Sequence, residues 1–454
     1  MLKRIASTLW GKFESRDELK KFGFLAFIFS IIIGTYWALR PIKDSVFGSM
    51  VGLRGYQPFA KILSLILIVP LIIFYNKLID RYSRHKLFYI LCSAYGFIAV
   101  LFMLAFLHPT IGLANTVQSP YRIIGWLWYF YVESFGSLIV ALFWAFTADI
   151  TKPDAAKRGF PLIALLGQVG NIIGPKITQT KYWGLKTSAP IVGILGIFML
   201  SLTLFLWIFM RVIPKKELEG FEAAEEKSTP ENKKEKGEAG FLDGLKHLLS
   251  HKYLMGIAAI IIFFEVIVTM LDYNFKSLAQ DAFMKGGVVF EGGLQSYLGE
   301  YGFWTGIVAT LCVLFGINNI QRKLGMKVSL VLMPIIVAIA VATLRFNPIL
   351  SVAFWIMVFS KAVNYALNQP TLKQAYIPTT KESKYKAQSW IEMFGGRSSK
   401  AVGSGINVVG RASWPFYVLL SSVVSVGLIG VWIFVAIFVG KTYSKAVQDK
   451  KVVC

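Results

Sequence analysis

Residues 35–49 read TYWALRPIKDSVFGS, and they place three charges inside a helix of membrane-spanning length. They continue the apolar run FGFLAFIFSIIIG at 22–34 without a break, and the charges are Arg40, Lys43 and Asp44. A charge at the centre of an isolated spanning helix costs about 2.5–3.5 kcal/mol. Three of them on one helix therefore predict a larger bundle, in which they meet partners or a water-filled cavity.

Apolar runs of similar length recur along the whole chain. Hydrophobic residues without glycine make up 55% of the 454 residues, whereas soluble domains contain roughly 45–50% with glycine included. A run of about 20 apolar residues is long enough to cross about 30 Å of hydrocarbon. The pattern predicts an all-α polytopic membrane protein with twelve transmembrane helices, at 22–48, 58–78, 86–108, 120–149, 159–181, 189–213, 253–280, 302–320, 327–346, 348–375, 387–410 and 414–440.

The basic residues that give the chain its net charge of +23 are concentrated in alternate loops between these runs. This distribution follows the positive-inside rule, which accounts for the charge better than binding to nucleic acid does. We therefore expect both termini in the cytoplasm and no nucleic acid as partner. The three cysteines and four histidines have no metal-ligand spacing, so we expect no metal and no cofactor.

A charged segment in the middle of the chain separates two halves of six predicted helices each. Residues 215–240 are nearly free of large apolar residues, which is typical of a linker. The loops IDRYSRHK (79–86) and IQRKLGMK (320–327) match at equivalent points of the halves, and parallel repeats of this kind build major facilitator transporters. We predict a cytoplasmic amphipathic segment (1–21), an N-terminal six-helix bundle (22–213), a charged cytoplasmic linker with an amphipathic helix (214–252), a C-terminal six-helix bundle (253–440) and a cytoplasmic tail (441–454).

Charges within the predicted helices mark candidate sites, because ionisable residues in membrane spans usually face a cavity or a partner. They fall mainly in spans one, four, seven, ten and eleven, and the first four of these are expected to line the cavity of a major facilitator fold. Several lie three or four residues apart and so share a helix face. Aligning ALRPIKDS (38–45) with MLDYNFKS (270–277) sets Arg40 opposite Asp272 and Asp44 opposite Lys276.

Cations outnumber acids among these residues, and a surplus of buried positive charge requires an anion such as phosphate. We assign phosphate binding to the cations, gating or counter-charge to the acids, and a cavity-lining role to a further set. The alternative is that some of these residues form ion pairs or helix contacts that only stabilise the bundle. The three sets are Arg40, Lys43, Lys276, Arg397 and Lys400; Glu133, Asp272, Asp44 and Glu265; and Lys361, Asn364, Asn368, Gln168 and Asn171.

At these residues the sequence resembles the bacterial and plastid nucleotide transporters, the ATP/ADP translocases of obligate intracellular bacteria and plastids. The most specific stretch covers the fourth and fifth spans, with Glu133 at the family's glutamate. The family usually has glutamate where this chain has Asp272, and its Gly-Lys-Ser-Gly-Gly run is here Ser-Lys-Ala-Val-Gly around Lys400. The similar stretches are LRPIKDSVF (39–47), YVESFGSLIVALFWAFTADITKPDAAKRGFPLIALLGQVGNIIG (131–174), LDYNFKSLAQ (271–280), YIPTTKESKYKAQSWIE (376–392) and GGRSSKAVGSG (395–405).

The resemblance implies a nucleotide transporter. We expect a monomer in the lipid of the bacterial inner membrane that exchanges ATP for ADP with phosphate by alternating access. The resemblance also implies that Lys43, Glu133, Asp272 and Lys400 are needed for transport. Two alternatives stay open at this point. One is a proton-coupled symporter of nucleotides or another organic phosphate, with Glu133, Glu265 or Asp272 as proton carrier. The other is a membrane enzyme or lipid-handling protein, for which the sequence offers no catalytic cluster.

Overall fold

A computed structural model describes residues 13–218, 241–315, 318–380, 390–391, 395–449 and 451–453. Within these residues the regular structure is helical, apart from one short hairpin of Met284–Lys285 and Val288–Val289. The helices of the first half are α1 (Arg16–Met50), α2 (Leu53–Arg81), α3 (Arg84–Leu107), α4 (Ile123–Asp149), α5 (Pro153–Ile177) and α6 (Ala189–Val212).

The second half contains nine helices within the described residues. A π-helical turn, Asn364–Asn368, joins two of them. These helices are α7 (Phe241–Ser250), α8 (Lys252–Ala282), α9 (Glu291–Leu314), α10 (Asn318–Phe346), α11 (Leu350–Val363), α12 (Gln369–Ala375), α13 (Gly396–Asn407), α14 (Val409–Ala412) and α15 (Trp414–Gln448).

Eleven stretches of the described chain are helices long and apolar enough to cross a membrane. They confirm the predicted polytopic all-α class. The predicted span 387–410 is described only in part, because residues 381–389 and 392–394 lie outside the described residues and the rest forms the short helices α13 and α14. The count of twelve therefore stays a prediction.

Two compact units make up the chain, and each contains a segment from the other sequence half. Unit 1 is Met1–Val51, Ile66–Lys234 and Phe283–Phe303. Unit 2 is Gly52–Leu65, Glu235–Ala282 and Trp304–Cys454. Helix α2 thus begins in unit 2 and ends in unit 1, whereas α9 begins in unit 1 and ends in unit 2. The predicted division into bundles at 22–213 and 253–440 stays a prediction.

In unit 1, the glycine run of α5 packs directly against α1. A Cβ on Gly170 would lie 2.2 Å from the carbonyl oxygen of Ser30, and one on Gly174 would lie 2.2 Å from that of Gly34. Only glycine permits backbones to approach this closely, as in other small-residue helix contacts within membranes. Helix packing is therefore one established role of the LLGQVGNIIG run.

The start of α9 is anchored within unit 1 by a buried polar network. The carboxylate of Glu291 accepts hydrogen bonds from the Ser45 hydroxyl at 2.6 Å, the Ser188 backbone N–H at 2.8 Å and the Ser188 hydroxyl at 2.7 Å. One turn later, Gln295 accepts from the Thr180 N–H at 3.0 Å and donates to the Thr178 carbonyl at 2.9 Å. These bonds join α9 to α1 and to the turn before α6.

The start of α2 is anchored within unit 2 in a comparable way, at the end of α8. The backbone N–H of Leu53 donates to the Gln280 side-chain oxygen at 2.6 Å. The Tyr273 hydroxyl donates to the carbonyl of Arg54, whose guanidinium pairs with Asp281. This anchoring holds the first turns of α2, including Lys61, beside α8.

Candidate functional site

The charged stretch of α1 forms an ion-pair cluster with α4 inside unit 1. The ammonium group of Lys43 pairs with the Glu133 carboxylate and lies 3.9 Å from Asp44. It also lies 4.3 Å from the centre of the Tyr129 ring, whose face attracts a cation. Lys43 is 4% exposed, whereas the Glu133 side chain is 39% exposed. The lysine is therefore enclosed, and its carboxylate partner is accessible.

Arg40 lies one turn before this pair, and aromatic rings of its own helix hold it. Its guanidinium carbon is 4.8 Å from the centre of the Trp37 ring and 5.8 Å from that of Tyr36. With Lys43, Asp44 and Glu133, the cluster contains two cations and two acids. The candidate site of unit 1 is thus formally neutral.

Unit 2 contains a cluster with unequal numbers of positive and negative charges, because three lysines share one buried carboxylate. Asp272 is 6% exposed. Its oxygens lie 2.7 Å from the ammonium nitrogen of Lys276, 3.2 Å from that of Lys361 and 3.4 Å from that of Lys61. We call these four residues the Asp272 cluster; they come from α8, α11 and α2.

The Asp272 cluster has a formal charge of +2, since three ammonium groups face one carboxylate. Two unit charges 4 Å apart interact by about 4 kcal/mol even at an effective dielectric constant near 20, so the lysines repel one another strongly. One carboxylate offsets only part of this repulsion. The arrangement can bind an anion of two or more negative charges, and phosphate groups match ammonium donors through charge-assisted hydrogen bonds.

The other predicted residues lie elsewhere in the two units. Lys400 on α13 lies 3.6 Å from Glu265 on α8, and the lysine side chain is 55% exposed. Arg397 lies three residues earlier on the same helix. In the π-helical turn the Asn368 amide donates to the Asn364 side-chain oxygen at 2.8 Å, and both residues are buried.

Gln168 and Asn171 form a separate polar pair on α5 in unit 1. The Asn171 amide donates to the Gln168 side-chain oxygen at 3.1 Å. The Asn171 oxygen is buried, and none of the described residues is a hydrogen-bond partner for it. This unsatisfied acceptor is compatible with the predicted cavity-lining role, which stays a prediction.

Lys61 is the site residue that the sequence interpretation missed. It lies in the predicted span 58–78, three residues after its start. Helix α2 begins at Leu53, so Lys61 is in fact two turns inside the helix. The sequence does indicate that Lys61 has no partner on its own helix, because no acidic residue lies three or four positions from it on either side. Such a lysine needs a partner on another helix.

Comparisons with known proteins agree with this geometry. Residues 2–443 match the family described as TLC ATP/ADP transporter. The ADP,ATP carrier protein 1 of Chlamydia muridarum is 27% identical over 461 residues, which cover 88% of this chain and 83% of that protein. The ADP,ATP carrier protein 1 of Rickettsia conorii is 25% identical over 452 residues, which cover 89% of this chain and 88% of that protein.

Solved structures of transporters share the fold over nearly the whole chain. A bacterial homologue of the iron transporter ferroportin superposes with a TM-score of 0.61 at 11% identity, covering 94% of this chain and 100% of that one. A nucleoside transporter superposes with a TM-score of 0.59 at 14% identity, covering 92% and 100%. At these identities the likeness concerns the fold alone, and it confirms the major-facilitator-like class.

Proposed function

Because the chain belongs to the TLC ATP/ADP transporter family, we propose that it exchanges ATP for ADP, with phosphate, by alternating access across the bacterial inner membrane. It is a secondary transporter and not an enzyme. The ADP,ATP carrier proteins of Rickettsia and Chlamydia that it resembles along most of its length support ATP and ADP as the substrates. The observation that carries the proposal is the surplus of positive charge in the Asp272 cluster.

In this proposal the nucleotide's phosphate groups bind at Lys61, Lys276 and Lys361. Asp272 holds these lysines together while no nucleotide is bound, because its carboxylate offsets part of the repulsion among three ammonium groups. Phosphate oxygens then provide the negative charge that one carboxylate cannot. Nucleotide binding here is an exchange of hydration and ion-pair contacts for phosphate contacts, and no covalent bond changes.

We assign to unit 1 the role of a switchable ion pair. Lys43 is enclosed but its partner Glu133 is accessible, so an approaching phosphate group can compete with that carboxylate for the lysine. Glu133 then acts as the gating counter-charge. Arg40, Arg397 and Lys400 supply further contacts to phosphate in this proposal, whereas Glu265 holds Lys400 and Asp44 balances Lys43.

The orientation and assembly of the protein belong to the same proposal. Both termini face the cytoplasm, since the loops rich in lysine and arginine then lie on the cytoplasmic side. The functional form is a monomer, because one chain supplies both charged clusters.

Lys61 provides a direct test of the phosphate assignment. Lys61→Gln should raise the KM for nucleotide about ten- to a hundredfold, because a charge-assisted hydrogen bond contributes about 1.5–3 kcal/mol. Uptake of radiolabelled ATP by cells expressing each variant gives this value. Lys77→Gln, which removes an exposed lysine from the same helix, is the matched control and should leave KM unchanged. Equal KM values for both variants would remove Lys61 from the site.

Exchange and proton symport are separated by purified protein in liposomes. Uptake of labelled ATP should require ADP or ATP inside the vesicles and should persist when an ionophore collapses the pH gradient. Uptake by empty vesicles that depends on an inward proton gradient would instead establish the symporter. A panel of other labelled nucleotides, competing with ATP, then defines the substrate range.

A further inference from the structure

Unit 1 contains three lysines in a place where the positive-inside rule predicts few. Lys176 lies in the last turn of α5, and Lys181 and Lys186 lie in the connection 178–188, which contains no acidic residue. In the orientation proposed above, this connection faces away from the cytoplasm, on the side that we call the outer face. Lysine and arginine are normally sparse on that side of a membrane protein. Membrane topology therefore does not account for these lysines.

Two of these lysines share one carboxylate. The ammonium nitrogen of Lys176 lies 2.8 Å, and that of Lys181 lies 2.7 Å, from the same oxygen of Glu300 on α9. The three residues therefore have a formal charge of +1. The two nitrogens are close enough for one phosphate group to contact both through charge-assisted hydrogen bonds. The lysine side chains are 33% and 47% exposed, so an anion from the solvent can reach them.

Two exposed aromatic rings accompany the lysines. The centre of the Tyr182 ring is 5.3 Å from the ammonium nitrogen of Lys176 and 5.1 Å from that of Lys181. The next residue, Trp183, is 59% exposed, and its indole N–H donates to the Ile177 carbonyl at 2.7 Å. This bond fixes the orientation of the indole. Tryptophan at a membrane interface often serves only as an anchor, but a fixed, exposed ring beside two cations can also stack on a nucleotide base.

We propose that Lys176, Lys181, Trp183 and Glu300 form an outer docking site for the transported nucleotide. The two lysines bind its phosphate groups, and the Trp183 ring stacks on its base. This inference rests on the proposed function, because it takes a nucleotide as the ligand. It adds a second binding site, which lies in unit 1 and uses none of the residues of the Asp272 cluster.

The outer docking site would act before transport. A nucleoside triphosphate carries several negative charges, and exposed cations attract it over about 8 Å at physiological ionic strength. Attraction of this kind raises association rates about tenfold or more. Glu300 keeps the contact temporary, because its carboxylate competes with phosphate for the same two ammonium groups. The nucleotide is thus concentrated at the outer face without being trapped there.

Nucleotide uptake measured separately at each face tests this proposal. The double variant Lys176→Gln with Lys181→Gln should raise the KM for ATP about tenfold in intact cells, where the nucleotide approaches the outer face. This rise should shrink as salt is added, because ions screen exposed charges. In inverted vesicles, where ATP approaches the cytoplasmic face, the KM should change far less. Lys285→Gln is the matched control, since it removes an exposed lysine from the hairpin of the same unit, and it should leave the KM in cells unchanged.

Glu300→Gln should have the opposite effect and lower the KM in intact cells, because phosphate then meets no competing carboxylate at the two lysines. Damage to the fold would not produce this sign, so the variant separates binding from stability. An equal rise in KM at both faces in the double lysine variant would overturn the outer docking site, as would an equal rise in Lys285→Gln.

Photolabelling of detergent-purified protein with 2-azido-ATP gives an independent readout. The label should appear in the peptide that contains Trp183, and tripolyphosphate should prevent it by occupying the lysines. If the wild type transports ATP but this peptide stays unlabelled, the outer docking site is wrong and the proposed function stands. If the wild type transports no nucleotide, both fail. If phosphatidylglycerol prevents the label and tripolyphosphate does not, the lysines bind lipid headgroups and the proposal is overturned.

Discussion

The Asp272→Asn variant is expected to lose about 3–5 kcal/mol of stability when no nucleotide is bound, because it removes the buried carboxylate that pairs with three lysines. Lys61, Lys276 and Lys361 would then lie around a neutral amide instead of a carboxylate. The side chain keeps its size, so the loss measures charge and not packing. Nucleotide uptake should fall with it, since the lysines are no longer held together.

Thermal unfolding of the purified protein measures this effect, and two further conditions make it specific. Adding ATP should restore part of the lost Tm, because its phosphate groups replace the missing carboxylate. The double variant Asp272→Asn with Lys361→Met should also be more stable than the single one, since it has one lysine fewer to neutralise. Asp17→Asn, at an exposed aspartate paired with Lys20, should change stability by less than about 1 kcal/mol.

If Asp272→Asn were as stable as Asp17→Asn, the three lysines would have to be neutralised in another way. The phosphate assignment for the Asp272 cluster would then lose its physical basis. A stable variant that transports normally would also exclude Asp272 as a proton carrier.

The Lys43–Glu133 pair should respond asymmetrically to the loss of either partner. Glu133→Gln leaves an enclosed lysine without its main counter-charge, at a cost of about 3–5 kcal/mol. Lys43→Met leaves a carboxylate that is 39% exposed and can be hydrated, so it should cost less. Both variants should reduce uptake at least tenfold, because each removes a charge that the proposed gate requires.

The interaction between the two side chains can be separated from their other contacts by comparing thermal stabilities. The proteins to compare are the two single variants and the double variant Lys43→Met with Glu133→Gln. The double variant should be more stable than Glu133→Gln alone, since the enclosed ammonium group of Lys43 is no longer present. Equal destabilisation by both single variants would contradict the asymmetry. Normal uptake by both would exclude this pair from transport.

The membrane class and most of the charged residues could be predicted from the sequence, because a charge within an apolar run is conspicuous. Spacing along one helix was also informative. Asp272 and Lys276, four residues apart, do pair at 2.7 Å. The family resemblance, whose most specific stretch is 131–174, agrees with the family match over residues 2–443.

The contacts between helices could not be predicted from charges and spacing along single helices. Lys43 and Glu133 are 90 residues apart, and nothing in either span specifies which carboxylate faces which lysine. Lys61 was missed because the start of its helix was placed five residues too late, at 58 instead of at Leu53. The π-helical turn at Asn364–Asn368 inserts an extra residue per turn, which a regular helical period does not anticipate.

The division of α2 and α9 between the units has a consequence for how the protein is made. Unit 1 includes Phe283–Phe303, so the ribosome must pass the linker and α8 before that unit is complete. Until then Ser188 and Thr180 lack the acceptors that Glu291 and Gln295 later provide. This part of unit 1 therefore reaches its final hydrogen bonding only after the chain has been synthesised past Gln295.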